Sequence, residues 1–217
     1  MRLFKQIYWM LRDIAYRNRW QVESGNSVIV SDSARSAMKK VNIKVRGKGN
    51  CLVVGDRTYL SNCEVRLYGE SNAIEIGSDV RFKSGKLYML QTSGQHIRLG
   101  NKTTVEGAYL LVDEAASIDV GNDCMLSTDI IIRVGDKHSI LDLSSGERIN
   151  PAKDVVVSDH VWIGRAVQVL KGSRLSSGSV VGACSVVSGA FEEDGCILAG
   201  VPARLIRRGI GWDRDLI

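Results

Sequence analysis

Proline is almost missing: two residues in 217, against 22 glycines. That balance excludes a proline-rich linker or polyproline segment and suits a chain with many tight corners. Phenylalanine is also scarce, at three, so a thick aromatic core is not expected. No apolar run approaches the length that spans a bilayer. Within residues 1–20, Arg12, Asp13, Arg17 and Arg19 interrupt any signal-peptide core. The five cysteines (Cys51, Cys63, Cys124, Cys184, Cys196) are odd in number and form no C-x-x-C pair. Reduced cytosolic thiols are therefore expected rather than disulfides or zinc ligands, with Cys184 read as a small packing residue. Glycine-rich phosphate cradles of the Rossmann or P-loop type are absent too.

What is present is a period of six. Val157, Ile163, Val169, Leu175, Val181 and Val187 follow one another at six-residue steps. Four places after each of the first five come Val161, Val167, Ser173, Ser179 and Ser185, and tiny residues such as Ser158, Gly164, Ser176, Gly182 and Ser188 follow the aliphatic directly. A helix repeats its apolar face every three or four residues and a half-buried strand every two. A step of six fits a solenoid whose hexads are each one flat side plus a corner, three to a coil. Stacked coils then bury the aliphatics that one hexad leaves open.

The N-terminal half carries the same idea less regularly. Gly55, Gly77, Gly100 and Gly121 each follow an aliphatic and precede Asp, Ser or Asn. This reads as wider coils with residues inserted at a corner, starting near residue 28, in a single domain over residues 1–217. Before them, Leu3, Phe4, Ile7, Tyr8, Met10, Leu11 and Ile14 mark an amphipathic helix within residues 1–20. Five cations against Asp13 give that segment most of the chain's formal charge of +5. Two roles stay open for it: a cap or subunit contact at the solenoid's end, which is preferred, or a helix resting on an anionic membrane surface. No nucleic-acid motif accompanies the cations.

From Ile132 the next step of six lands on His138 instead of an aliphatic, and the repeat resumes only at Val157. The polar stretch 133–154 must leave the stack as a loop, and such loops usually carry function. After Val187 the step breaks and then reaches Gly200-Val201-Pro202-Ala203. Pro202 is suited to the first turn of a helix, so a short C-terminal helix is expected over 202–212.

These motifs resemble those of the hexapeptide-repeat acyltransferases: Asp136-x-His138-x-Ile140, Gly146-Glu147-Arg148-Ile149-Asn150, Asp154, His160-Val161-Trp162-Ile163-Gly164 and the tail Ala199-Gly200-Val201-Pro202-Ala203-Arg204. Within that family the chain looks most like the bacterial polysialic-acid and capsule O-acetyltransferases. The resemblance implies a mainly β fold, a left-handed parallel β-helix, whose hand is an exception to the right-handed crossover rule. It implies a homotrimer with active sites between subunits, and direct acetyl transfer from acetyl-CoA to a sugar hydroxyl. Ser139 stands where the family often has proline.

By the same resemblance His138 is the general base, a task suited to imidazole near neutral pH. Asp136 either orients it or is a solvated loop acid. Trp162 lies against the CoA thiol arm near the acceptor, and Arg165 and Lys171 help hold CoA. Gly164, Gly182, Ala183 and Ser188 are the wall along which it runs, and Arg204 and Arg207 are candidates for its phosphates. No metal is implied. The rival readings are acetylation of a small sugar or of an amino-sugar nucleotide, a zinc enzyme needing three close histidines, and a non-catalytic scaffold. A cytoplasmic location, either free or peripheral at the inner face of the membrane, accompanies the enzyme reading.

Overall fold

The computed structural model describes residues 2–216, with side chains from Phe4 onward; Met1 and Ile217, the outermost positions of the expected 1–217 domain, lie outside the described residues. Two short helices, α1 (Arg2–Tyr16) and α2 (Asp32–Ala37), precede and flank a solenoid. Among the described residues the strands form three sheets of eight; each coil gives one strand to each sheet except the first, where α2 takes the third-sheet place, and the eighth strand of that sheet is the C-terminal return Ala203–Arg207. All pairings are parallel except the last in the third sheet.

The solenoid begins earlier than expected. Arg19–Val22 already pairs with Asn42–Lys48, and Ser27–Val30 with Cys51–Val54. The extra residues of the wide N-terminal coils also differ in place. They lengthen the first sheet's strands, Asn42–Lys48, Cys63–Glu70 and Gly85–Ser93, instead of bulging at a corner. Within these wide coils a buried amide column satisfies the backbone: Asn50 N–H donates to Asn26 Oδ1 (3.0 Å), Asn72 N–H to Asn50 Oδ1 (3.1 Å) and Gln95 N–H to Asn72 Oδ1 (3.0 Å).

The six-residue aliphatics fill the bore. Val157, Ile163, Val169, Leu175, Val181 and Val187 are all buried, as are Val161, Val167, Ser173, Ser179 and Ser185. Ser173 and Ser185 satisfy their hydroxyls on the carbonyls of Val187 (3.0 Å) and Gly182 (2.6 Å). Gly55, Gly77, Gly100 and Gly121 stack in one column so closely that a Cβ on Gly100 would lie 2.4 Å from Gly121. The residues after them form a second ladder: Ser78 N–H to Asn101 Oδ1 (2.8 Å), Asn101 N–H to Asn122 Oδ1 (2.8 Å), Asn122 N–H to Asp159 Oδ1 (2.6 Å).

The C-terminal helix expected over 202–212 does not form. Ala203–Arg207 is a strand that turns back antiparallel on Ile197–Gly200, with Ala203 opposite Gly200. The third sheet's edge offers unpaired backbone groups there, and pairing with them outweighs a local helix signal. Gly200, at φ +107°, allows the reversal.

Helix α1 ends at Tyr16 rather than running to residue 20. Its charged face, not its apolar stripe, meets the body. Lys5 pairs with Asp32 (2.6 Å), Asp13 with Arg35 (2.9 Å), and Arg12 donates to the carbonyl of Ser36. Trp9 is the buried apolar anchor, and the Arg35 guanidinium lies 5.1 Å from its ring and 5.2 Å from that of Trp20.

Candidate active site

The segment 134–154 leaves the stack between strand Ile130–Arg133 of the first sheet and strand Val155–Val157 of the second. It is built as a small hairpin. Leu141 bridges Arg148 antiparallel, and Asp142 Oδ1 accepts from the N–H groups of Ser144 (2.8 Å) and Ser145 (2.9 Å) at the turn. The Ser144 hydroxyl, which donates to the same oxygen (2.5 Å), and then those two N–H bonds hold the Asp142 carboxyl down to about 2.

Asn150 is the buried hub of the loop. Its Nδ2 donates to the carbonyl of His138 (2.9 Å) and to Asp136 Oδ2 (2.8 Å), and its Oδ1 accepts from Ile140 N–H (2.7 Å). Lys171, from the next coil, donates to Asp136 Oδ2 (2.5 Å) and to the carbonyl of Asn150 (2.9 Å). The Lys171 ammonium and then Asn150 hold the Asp136 carboxyl below the usual carboxylate range. Asp136 therefore fixes the loop; of the two readings of it, neither a bond to the His138 ring nor a merely solvated acid is found among the described residues. Lys171, expected to face CoA, is engaged in the same anchoring.

His138 is exposed, and among the described residues nothing bonds its ring nitrogens. It opens on a cleft of about 740 Å³ whose walls include Arg66, Tyr68, Asp113, Glu114, Lys137 and Arg148. Arg148 pairs with Glu114 (2.6 Å), which also accepts from the N–H groups of Asp136 (3.0 Å) and Lys137 (3.1 Å). Burial pushes the Glu114 carboxyl up, but those donors outweigh it and hold it below its ordinary range. The Asp113 side chain is 4% exposed, 3.7 Å from the Lys137 ammonium, and both of its oxygens lack a hydrogen-bond partner. Sequence reading missed Arg66, Tyr68, Asp113 and Glu114. Arg66 and Tyr68 lie in strand Cys63–Glu70, and Asp113 and Glu114 just past strand Ala108–Val112, so they meet His138 only through stacking; the Glu147-Arg148 motif was the one available pointer.

Trp162 lies elsewhere, 38% exposed on the third sheet, in the row Met125, Trp162, Val180, Ile197 and, across the antiparallel pair, Arg207. Gly164, Gly182 and Ala199 form the adjoining row, linked by Gly164 N–H to Val181 O (2.8 Å) and Gly182 N–H to Leu198 O (2.8 Å), and Arg204 pairs with Ala199. A Cβ on Gly164 would lie 2.8 Å from the backbone of the next coil. Exposed Ala183 continues this strip, and exposed Arg165 is weakly paired with Asp129 (3.4 Å) at the following corner. Ser188 is apart from them, at the corner beneath the loop. Cys184 is exposed at a corner with φ +59° and is not a packing residue, whereas Cys63, Cys124 and Cys196 are buried. Burial raises the Cys63 thiol to about 12 and the Cys124 thiol to about 11.

In a three-sided coil the corner between the first and second sheets faces away from the third. The His138 loop springs from that corner and Trp162 from the opposite side, so one chain does not bring the two together. The other histidines are tied separately, His96 to Asp119 (3.0 Å) and His160 to Asp123 (2.8 Å).

No family model matches the chain. It is 33% identical to the polysialic acid O-acetyltransferase of Neisseria meningitidis over 194 residues, 89% of each chain. It is 34% identical to the polysialic acid O-acetyltransferase of Escherichia coli O1:K1 over 126 residues, 58% of this chain but 41% of that relative's length. The crystal structure of the polysialic acid O-acetyltransferase OatWY superposes with a TM-score of 0.85 at 30% identity, over 92% of each chain. On this likeness in sequence and fold, the chain belongs to the hexapeptide-repeat acyltransferases and is similar to their bacterial polysialic acid O-acetyltransferases.

Proposed function

We propose that the protein moves an acetyl group from acetyl-CoA to a hydroxyl of a bacterial surface glycan, with His138 as general base. The acceptor named for its relatives, polysialic acid, is the leading candidate. The observation that carries this reading is the exposed imidazole of His138 beside a cleft rich in polar side chains. A hydroxyl is a poor nucleophile at neutral pH and needs a base within hydrogen-bond reach. The neutral imidazole takes the acceptor's proton as its oxygen bonds to the thioester carbonyl carbon. The carbon–sulfur bond then breaks, and the imidazolium returns the proton to the departing thiolate. The cations and carboxylates of the cleft match the donors and acceptors of sugar hydroxyls.

Acetyl-CoA fits the outer wall of the third sheet. Gly164, Gly182, Ala183 and Ala199 leave a flat strip there, Trp162 borders it, and Arg204 and Arg207 stand at its C-terminal edge, suited to phosphates. The separation of Trp162 from His138 within one chain favours an assembly in which His138 of one copy faces Trp162 of the next. A trimer closes such contacts symmetrically.

Labelled acetyl-CoA incubated with polysialic acid and with neutral glycans tests the reading. Transfer is expected to fall about 10²–10⁴-fold in His138→Ala, with acetyl-CoA affinity retained. A folded His138→Ala protein with undiminished transfer would remove the base.

A further inference from the structure

Helix α1 leaves its apolar side uncovered. Phe4, Ile7, Tyr8, Leu11 and Ile14 recur at helical spacing on one face and are 43 to 80% exposed. The opposite face carries Lys5, Trp9, Arg12 and Asp13 and is fastened to α2 and the first coil by the bonds described above. The usual arrangement of an amphipathic helix on a protein body is thus inverted. The helix is fastened by polar bonds, with its apolar stripe facing outward.

Cations gather at the helix's C-terminal end. The N–H of Lys40 bonds the carbonyl of Tyr16 (2.8 Å), and that of Arg19 bonds Val41 (2.8 Å), which brings the segments holding Arg17, Arg19, Lys39 and Lys40 together. All four are exposed. None has a carboxylate partner among the described residues, while the neighbouring acids Asp13 and Asp32 are already neutralised by Arg35 and Lys5. A second copy docking on this face would bring like charges together. A surface that is apolar beneath and anionic above meets both features. No helix among the described residues is long and apolar enough to cross a membrane, so the fit is to a helix lying in the plane.

We propose that α1 is a built-in anchor for an anionic lipid surface. Phe4, Ile7, Leu11 and Ile14 enter the headgroup boundary, and Arg17, Arg19, Lys39 and Lys40 meet lipid phosphates. The site would thereby work on acceptors presented at a membrane face.

Flotation of the full-length protein with vesicles decides it, and does not depend on the acetyl-transfer reading. Binding is expected to phosphatidylcholine vesicles containing phosphatidylglycerol, and to be much weaker on phosphatidylcholine alone. Leu11→Ser with Ile14→Ser should lower partition about tenfold or more, because each buried methylene counts. Lys39→Glu with Lys40→Glu should lower it about fivefold per charge. These side chains are exposed, so circular dichroism should be unchanged. Wild-type protein that stays unbound on anionic vesicles would overturn the proposal, as would Leu11→Ser/Ile14→Ser binding like wild type. Wild type that ignores vesicles, with a variant of reduced oligomer mass, would assign the stripe to a second copy.

Discussion

Trp212 stacks flat on His160, with ring centroids 4.0 Å apart and planes 8° from parallel. The two are also cross-bonded: Trp212 Nε1 donates to the carbonyl of His160 (2.9 Å), and His160 Nε2 lies 3.2 Å from the carbonyl of Trp212. Two residues on, Arg214 reaches Asp123 Oδ1, Thr104 Oγ1 (2.9 Å) and the carbonyl of Cys124 (3.0 Å). The tail is a strap across three coils, and Trp212 also stands 6.0 Å from Trp162. Trp212→Ala should cost about 1–3 kcal/mol and expose residues 208–215 to hydrogen exchange. Unchanged exchange in that segment would show that Arg214 alone holds the strap.

A site shared between copies has a genetic signature. His138→Ala and Trp162→Ala should each be nearly inactive as homo-oligomers. Co-expressed and co-purified by two different tags, they should regain a fraction of wild-type turnover, because some interfaces then pair an intact His138 with an intact Trp162. Mixed oligomers without recovered activity would place both residues in one chain's site.

Cys184 reports on the strip proposed for CoA. It is exposed immediately after Ala183, while burial lifts the thiols of Cys63 and Cys124 out of the reactive range. Iodoacetamide should modify Cys184 well before those two, as read by peptide mass spectrometry. Saturating acetyl-CoA should slow that modification. Equal rates with and without acetyl-CoA would move the CoA path away from Gly182 and Ala183.

Loop anchoring should be sensitive to acid in one direction. The Asp136 carboxyl is lowered by Lys171 and Asn150, so its contribution is present above the unfolded carboxylate value and lost as pH falls through the lower folded one. The loop should stay ordered at neutral pH and loosen only below about pH 4. Asp136→Asn should loosen it at every pH, seen as faster proteolysis within 139–149 at neutral pH. Proteolysis identical to wild type would leave the anchoring to Asn150.

The six-residue aliphatics could be read directly because a bore one residue wide imposes its period on the chain. The loop around His138 was visible for the converse reason, since it breaks that period. Asp113, Tyr68 and Arg66 left no such trace: outward positions on separate coils face no sequence rule, and only stacking gathers them. Pro202 misled because its signal is local, whereas the open edge at Ile197–Gly200 is a tertiary demand. In α1 the stripe was legible but its direction was not. Which face turns inward was decided by partners on α2, Asp32, Arg35 and Ser36, that no helical periodicity contains.

The returning strand Ala203–Arg207 has a bearing on self-association. A stack of parallel coils is a template: an uncovered end presents a row of amides and carbonyls to any like chain, and end-to-end growth into fibres is the natural hazard. The reversed strand runs against the direction every other coil follows, so a further parallel coil finds the wrong polarity on that side. Arg204 and Arg207 add charge to the same rim. On the third sheet the hairpin acts as a chain terminator in the polymer sense, while the first and second sheets end on Val186–Val187 and Ala190–Phe191.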